Sequence, residues 1–256
     1  MTERRDTAAS RQTWPVAALG LFSVLVLAFD TATPAVTAAL HDGERVLAET
    51  TTIDARRHGE LLAPSIEAVL RDSGAVLGDV TAVVAGSGPG PYTGLRVGLM
   101  TAQALATTLG VPAYGVCTLD ALAYAVEERG EFLVATDARR KEVFWARYAG
   151  PRTRLDGPHV DKPHDLPAGL PVIGAGAALY GLGPEAYPPA GALAAIAAER
   201  LAELTPEEAL ALAKVPEGRI DSPDKARDLA VLGPARPIYL RRPDAQVPGA
   251  PKRVTA

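Results

Sequence analysis

Apolar residues run unbroken from 24 to 29 (VLVLAF) and stop at Asp30, a pattern that predicts a short strand covered on both faces. Residues 36–40 and 45–51 flank His41-Asp42-Gly43-Glu44, whose Asp-Gly pair favours a tight reversal, so three antiparallel strands open the fold. The period then lengthens. Over 58–73 (HGELLAPSIEAVLRDS), Leu61, Leu62, Ile66, Val69 and Leu70 fall on one side of a helix and Glu60, Glu67 and Arg71 on the other, with Gly74 as its C-cap. Residues 80–85 (VTAVVA) read as another buried strand, 86–91 (GSGPGP) as a glycine-supplied turn, and about 92–109 as a second helix stopped by Gly110 and Pro112. A helix near 119–128, a strand at 132–136, a turn at 137–140 (DARR) and a strand at 142–148 (EVFWARY) begin a second unit. Prolines at 151, 158, 163, 167, 171, 184, 188 and 189 make 150–190 loop-heavy, with a short strand at 172–176. Helices at 191–204 and 206–214, an exposed connector at 215–234 and a final strand at 235–240 complete the reading.

The second helix carries the most information. Leu95, Val97, Leu99, Met100, Ala104, Leu105 and Leu109 point in nearly every direction, the pattern of a helix covered on more than one side. Gly94, Gly98, Ala102 and Ala106 form a stripe of small residues that lets another helix backbone come close, and only Arg96, Gln103 and Thr107 make a polar seam. The pattern leaves open whether the covering is the chain's own first helix and second lobe or a different chain.

Length and charge narrow the classes. At 256 residues the chain suits one large domain or two small lobes, and the two strand-turn-strand openings favour two lobes. A net charge of -4 argues against a broad electrostatic grip on nucleic acid, so any RNA link runs through a partner. Cys117 is the only cysteine, which excludes an internal disulfide framework and a multi-thiolate zinc site and fits a reducing cytoplasm. Arg4, Arg5 and Arg11 precede an uncharged stretch at 14–29 that is shorter than the roughly 20 residues needed to span a bilayer. No membrane association is expected. Residues 1–22 read as an irregular extension, 23–115 as a first lobe, 116–242 as a second, and 243–256 as a disordered tail.

Candidate chemistry is sparse. Gly88, Gly90 and Gly94 lie between a strand and a helix, but their spacing is not a dinucleotide fingerprint and no Gly-Lys-Ser/Thr follows. Asp30 and Thr31 close the first strand, where an acid can hold a magnesium water beside a phosphate; a turn Asp and Thr before Pro34 is the favoured reading. Ser87 lacks the glycine spacing of a nucleophile elbow, and Cys117 sits in an apolar run where a thiol packs. His41, His58, His159 and His164 form no pair with metal-ligand spacing, so no metal is expected.

Several segments, taken in order, resemble the TsaB (YeaZ) family: FDTATPAVTAAL at 29–40, HGELLAPSIEAVLRDSG at 58–74, GSGPGPYTGLRVGLMTAQALA at 86–106, GVCTLDALA at 115–123, TDARRKEVFWARY at 136–148 and PIYLRRPDA at 237–245. The match is loose over 150–230. The resemblance implies an α/β fold of two ribonuclease-H-like lobes, each a mixed five-stranded sheet with helices, as in actin-like ATPases and sugar kinases. It implies a non-catalytic cytoplasmic subunit that pairs with the catalytic TsaD, is joined by the ATPase TsaE, and serves threonylcarbamoylation of a transfer-RNA adenosine, with RNA bound only through the complex. A homodimer without the partner is compatible. The implied partner surface comprises Leu61, Ser65, Ile66 and Val69 of the first helix and Arg96, Leu99, Met100 and Gln103 of the second. Asp30, Thr31, Gly88 and Gly90 would be a vestigial phosphate loop. No cofactor is implied for the chain itself, although ATP or ADP at the complex interface is compatible with the resemblance. The catalytic paralogue carries a His-x-x-x-His metal pair where this chain has Cys117-Thr118-Leu119-Asp120-Ala121-Leu122, so the chain is not the transferase subunit. The rival expectation, from a different class, is a stand-alone ATPase or phosphotransferase using Asp30 and the 86–91 loop. Arg139, Arg140, Arg241 and Arg242 read as solvated surface charge.

Overall fold

The computed structural model describes residues 24–128, 130–214 and 232–240. The expected extension at 1–22, most of the connector at 215–234 and the tail at 243–256 lie outside them. Two sheets organise the chain. The first contains β1 (Val26–Asp30), β2 (Ala35–His41), β3 (Val46–Ile53), β4 (Ala82–Gly86), β5 (Ala113–Val116) and a two-residue β10 (Gly233–Pro234), in the order β10-β5-β4-β1-β2-β3. Strands β1, β2 and β3 are antiparallel, whereas β4 and β5 run parallel to β1. The second sheet has the order β8-β7-β6-β9, from β6 (Phe132–Asp137), β7 (Val143–Gly150), β8 (Thr153–Asp161) and β9 (Val172–Ile173). The two-lobed α/β expectation holds, but the count of five strands per lobe does not: the first sheet gains β10 as an edge and the second has four among the described residues.

Alternation along β1 explains the layers. Leu27 and Phe29 face one side, where Val36, Ala38 and Leu40 of β2 join Leu62, Ile66 and Val69 of α1 (His58–Ser73) and Leu95, Leu99 and Ala102 of α2 (Tyr92–Leu109). Val26 and Ala28 face the other side, against Leu193, Ile196 and Ala197 of α5 (Ala190–Ala202). A strand buried on both faces needs two helical layers, which is why its sequence shows no polar alternation. The second sheet is covered on one face by α3 (Thr118–Tyr124), through Leu119, Leu122 and Ala123, and on the other by Ala177 of the short α4 (Ala175–Leu179). Helix α6 (Pro206–Ala213) opens on a capping box between Thr205 and Glu208. Helix α5 and strand β10 lie beyond residue 116 in sequence yet belong to the first sheet's layers, so the chain returns across the expected lobe boundary.

Two expectations in the second half are corrected. The proline-rich stretch 150–190 holds the nine-residue strand β8, because Pro158 sits on the sheet's outermost strand, where no ladder donor is required, and register shifts against β7 absorb the irregularity. The expected strand at 235–240 is not one: Ala235 and Tyr239 of the segment pack on the first sheet's core and Ile238 on the second's, with the N–H of Ile238 donating to the Ser87 carbonyl.

The small-residue stripe also has a different neighbour from the one its spacing suggested. Gly94, Gly98, Ala102 and Ala106 are buried by the chain itself. The Thr31 hydroxyl donates to the Gly94 carbonyl at 2.8 Å and accepts from the Gly98 N–H at 3.0 Å, bridging the donor and acceptor of one helical turn. A Cβ on Gly94 would run into the Thr31 carbonyl, and one on Gly98 would stand 2.7 Å from the Thr31 hydroxyl. Gly94→Ala is therefore expected to destabilise the isolated chain by about 1–3 kcal/mol in a urea melt, the overpacking cost outweighing alanine's better helix propensity. A neutral or stabilised variant would mean that the stripe is not gripped by Thr31.

Candidate functional site

Two regions hold the residues singled out from the sequence. The first is the junction where β1, the 86–91 loop and α3 meet. Asp30 is fully buried at the end of β1 and accepts from the Ala32 N–H and the Thr118 hydroxyl, each at 2.6 Å. The Thr118 hydroxyl accepts in turn from the Gly88 N–H at 3.1 Å, and the Thr118 N–H donates to the Gly88 carbonyl at 2.8 Å. The Ser87 N–H donates to the Val116 carbonyl. Burial raises the Asp30 carboxyl to about 6, against the opposing pull of the Thr118 and Ala32 hydrogen bonds and of nearby His58.

The glycines of this loop are spent on internal contacts. A Cβ on Gly86 would collide with the Asp30 carboxylate, and one on Gly90 with the Ala32 carbonyl. Asp30, Thr31, Gly88 and Gly90 are thus brought together as the sequence grouped them, but as an interlock joining β1, β4 and α3. Thr118, the residue that completes it, was not picked out from the sequence; its only signal was its place at the start of a helix following an apolar strand. Cys117 is buried and its thiol is pushed up to about 12, chiefly by burial, so it is a packing group.

The second region is the outer side of α1 and α2. Of the eight residues expected at a partner surface, Ser65, Ile66, Val69 and Leu99 are buried in the chain's own core, at 7 %, 7 %, 1 % and 4 % exposure. Leu61 is half-buried, while Arg96, Met100 and Gln103 are exposed. Helical periodicity identifies which residues share a stripe without saying which stripe meets the sheet. The flank that remains open carries Tyr92 and Met100, at 57 % and 48 % exposure, together with Arg96 and Gln103. Tyr92, absent from the expected set, belongs to this flank. The segment 232–240 borders it: Gln103 donates to the Ala235 carbonyl at 3.3 Å, and the rings of Tyr92 and Tyr239 lie 5.8 Å apart.

A cavity of about 290 Å³ opens where α1 and α2 begin, lined by Thr31, Thr33, Arg56, His58, Thr93 and Arg139 among others. Arg139, Arg140 and Lys141 form a left-handed turn at φ 61°, 54° and 60°, and Arg139 pairs with Asp137 at 3.3 Å. Among the described residues no cluster of three His, Cys, Asp or Glu side chains is placed to hold a metal, and no helix is long and apolar enough to cross a membrane.

Comparison with known proteins gives these features a family. The model of the family described as TsaD, tRNA N6-adenosine threonylcarbamoyltransferase, matches residues 45–245. An uncharacterised protein of Mycobacterium tuberculosis is 43 % identical over 231 residues, covering 86 % of this chain and 93 % of that one. The tRNA threonylcarbamoyladenosine biosynthesis protein TsaB of Escherichia coli is 38 % identical over 126 residues, 48 % of this chain and 54 % of its own length. YeaZ from Pseudomonas aeruginosa superposes with a TM-score of 0.61 at 29 % identity, over 73 % of this chain and 98 % of that structure. With two thirds or more of its length matched in this way and the first-lobe helices arranged as described, the chain belongs to the tRNA N6-adenosine threonylcarbamoyltransferase family, on its TsaB/YeaZ side.

Proposed function

We propose that the chain acts in threonylcarbamoyladenosine formation on transfer RNA as a non-catalytic subunit, pairing with a TsaD-type catalytic subunit through the open flank of α1 and α2 and working with a TsaE-type ATPase. Relatives named for that biosynthesis support the pathway. One observation carries the division of labour: in the loop that would cradle a phosphate, the Ser87 and Gly88 amides donate to Val116 and Thr118 of the same chain, and Gly86 and Gly90 lie against Asp30 and Ala32. A phosphate cradle needs those N–H groups pointing at the ligand. The 117–122 segment (CTLDAL) further supports a subunit without chemistry of its own, since it holds no histidine where the catalytic paralogue is expected to carry its metal pair. RNA contact is assigned to the assembled complex, in keeping with the chain's net charge of -4.

Mixing the purified chain with a TsaD-type subunit at micromolar concentration and measuring mass by light scattering is expected to give a heterodimer; two unassociated species would end the proposal. Met100→Glu is expected to weaken that pairing while leaving the chain's own melt unchanged, because its side chain is 48 % exposed before association and buried after it. Leu99→Glu is expected to unfold the chain before any effect on pairing can be read, since Leu99 is 4 % exposed within the first lobe's core.

The Asp30 interlock gives a separate test against a stand-alone phosphotransferase. A carboxyl raised from the ordinary 3.8 to about 6 favours the folded state fully below the unfolded value, and that contribution is lost as pH rises through about 6. Above that, keeping the buried charge costs on the order of 3 kcal/mol. Asp30→Asn is therefore expected to be more stable than the native chain at pH 8, with the advantage shrinking below pH 4 in parallel urea titrations. If Asp30 instead served a magnesium nucleotide, ATP with magnesium would raise the melting temperature of the native chain and not of the variant.

A further inference from the structure

We infer that the cavity between α5 and the β7–β8 hairpin is a binding site for a small uncharged polyhydroxyl molecule of the sugar class, with Asp120 as its anchor. The cavity measures about 840 Å³, within the range of small-molecule sites. Its walls come from both halves of the fold: Ile196 and Glu199 from the helix that roofs the first sheet, Arg154 and Leu155 from the second sheet's outermost strand, and Asp120 from α3. None of the lining residues belongs to α1 or α2, so the site stands apart from the pairing proposed above. Asp120 sets the first requirement on a ligand. It is 8 % exposed, and both partners of its carboxylate, the Tyr148 hydroxyl at 2.8 Å and the Arg154 guanidinium at 3.2 Å, meet Oδ1. Among the described residues no donor reaches Oδ2. Burial raises this carboxyl against the opposing pull of Arg154 and Tyr148, so a further donor at Oδ2 would offset part of the cost of keeping the charge inside. A buried acceptor that lines a cavity calls for a molecule that brings a hydrogen-bond donor to it.

The remaining walls decide the ligand's charge. Each lining guanidinium already faces a carboxylate: Arg152 donates to Glu199 at 2.7 Å, Arg200 donates to Glu203 at 2.7 Å, and Arg154 pairs with Asp120. The Tyr124 hydroxyl accepts from Arg152 at 2.8 Å and donates to Glu199 at 2.7 Å, which ties α3, α5 and the turn before β8 into one network. An anion would have to displace one of these carboxylates, and a cation one of these guanidiniums, each time leaving a charge unpaired. A hydroxyl does neither. It gives one hydrogen bond and takes another, and after pairing a carboxylate still has lone pairs to offer and a guanidinium still has N–H groups. Adjacent hydroxyls match the two coplanar atoms that either group presents. Leu155, a large apolar side chain at 44 % exposure, joins Ile196 in giving the carbon faces of such a molecule a surface to cover.

The experiment titrates the full-length chain with D-glucose, D-ribose, putrescine and inorganic phosphate, read by protein NMR and by melting temperature. At least one of the two sugars is expected to bind saturably, with a dissociation constant in the millimolar range or below, and to raise the melting temperature; the diamine and phosphate are expected to do neither. Leu155→Trp, at an exposed strand position whose larger ring would fill the cavity, is expected to abolish sugar binding while the melting temperature holds. Asp120→Asn, which sets an amide where the unengaged acceptor stands, is expected to weaken binding on the order of 10-fold. If Asp120→Asn fails to fold, the Leu155→Trp result decides alone. The inference is overturned if neither sugar binds saturably, or if putrescine or phosphate binds in their place. It is overturned equally if a folded Asp120→Asn chain keeps native affinity, or if Leu155→Trp leaves sugar binding unchanged, since the sugar would then sit elsewhere on the chain.

Discussion

The grip of Thr31 on the first turns of α2 sets the geometry on which the rest of the first lobe depends. A hydroxyl that donates to Gly94 and accepts from Gly98 fixes the helix both along its axis and about it. With that rotation locked, Leu95, Ala102 and Ala106 turn inward and Tyr92, Arg96 and Met100 turn outward. A helix rolled by a quarter turn would drag Arg96 toward the core and leave Leu95 wet. The open flank is thus a by-product of how closely β1 approaches the helix, and that approach requires residues without side chains at two positions four apart.

Much of this was legible from pattern. The apolar period of α1, the Asp-Gly reversal between β2 and β3 and the bounds of α2 all appear at or near their expected places, since each is a local signal with a local cause. What failed was non-local. A stripe of glycines and alanines announces that something comes close, but the identity of the visitor, Thr31, lies some sixty residues earlier and is invisible to any window. Strand β8 was hidden by Pro158, whose message depends on whether its strand is central or at an edge. In the candidate site, the grouping of Asp30 with the glycine loop was readable, whereas the role of Thr118 depended on tertiary contact.

The junction around Asp30 shows how a glycine loop between a strand and a helix can be locked by its own chain. The Gly88 amide donates to the Thr118 hydroxyl and the Ser87 amide to the Val116 carbonyl. The result ties the end of β1 to the start of α3, the helix that roofs the second sheet. A buried carboxylate is a costly way to join two segments by comparison with apolar packing, yet it is directional, and direction is what an alignment between two sheets demands.

The return of α5 and β10 to the first sheet has a consequence for how the polypeptide is made. During translation the opening strands leave the ribosome long before the helix that covers their rear, which ends at Ala202, and before the pair of residues that closes their margin, at Gly233 and Pro234. Until then one oily surface of the nascent sheet, formed by Val26, Ala28, Ala82 and Val84, has no roof. That sheet is therefore closed only by residues synthesised well after its own strands have emerged.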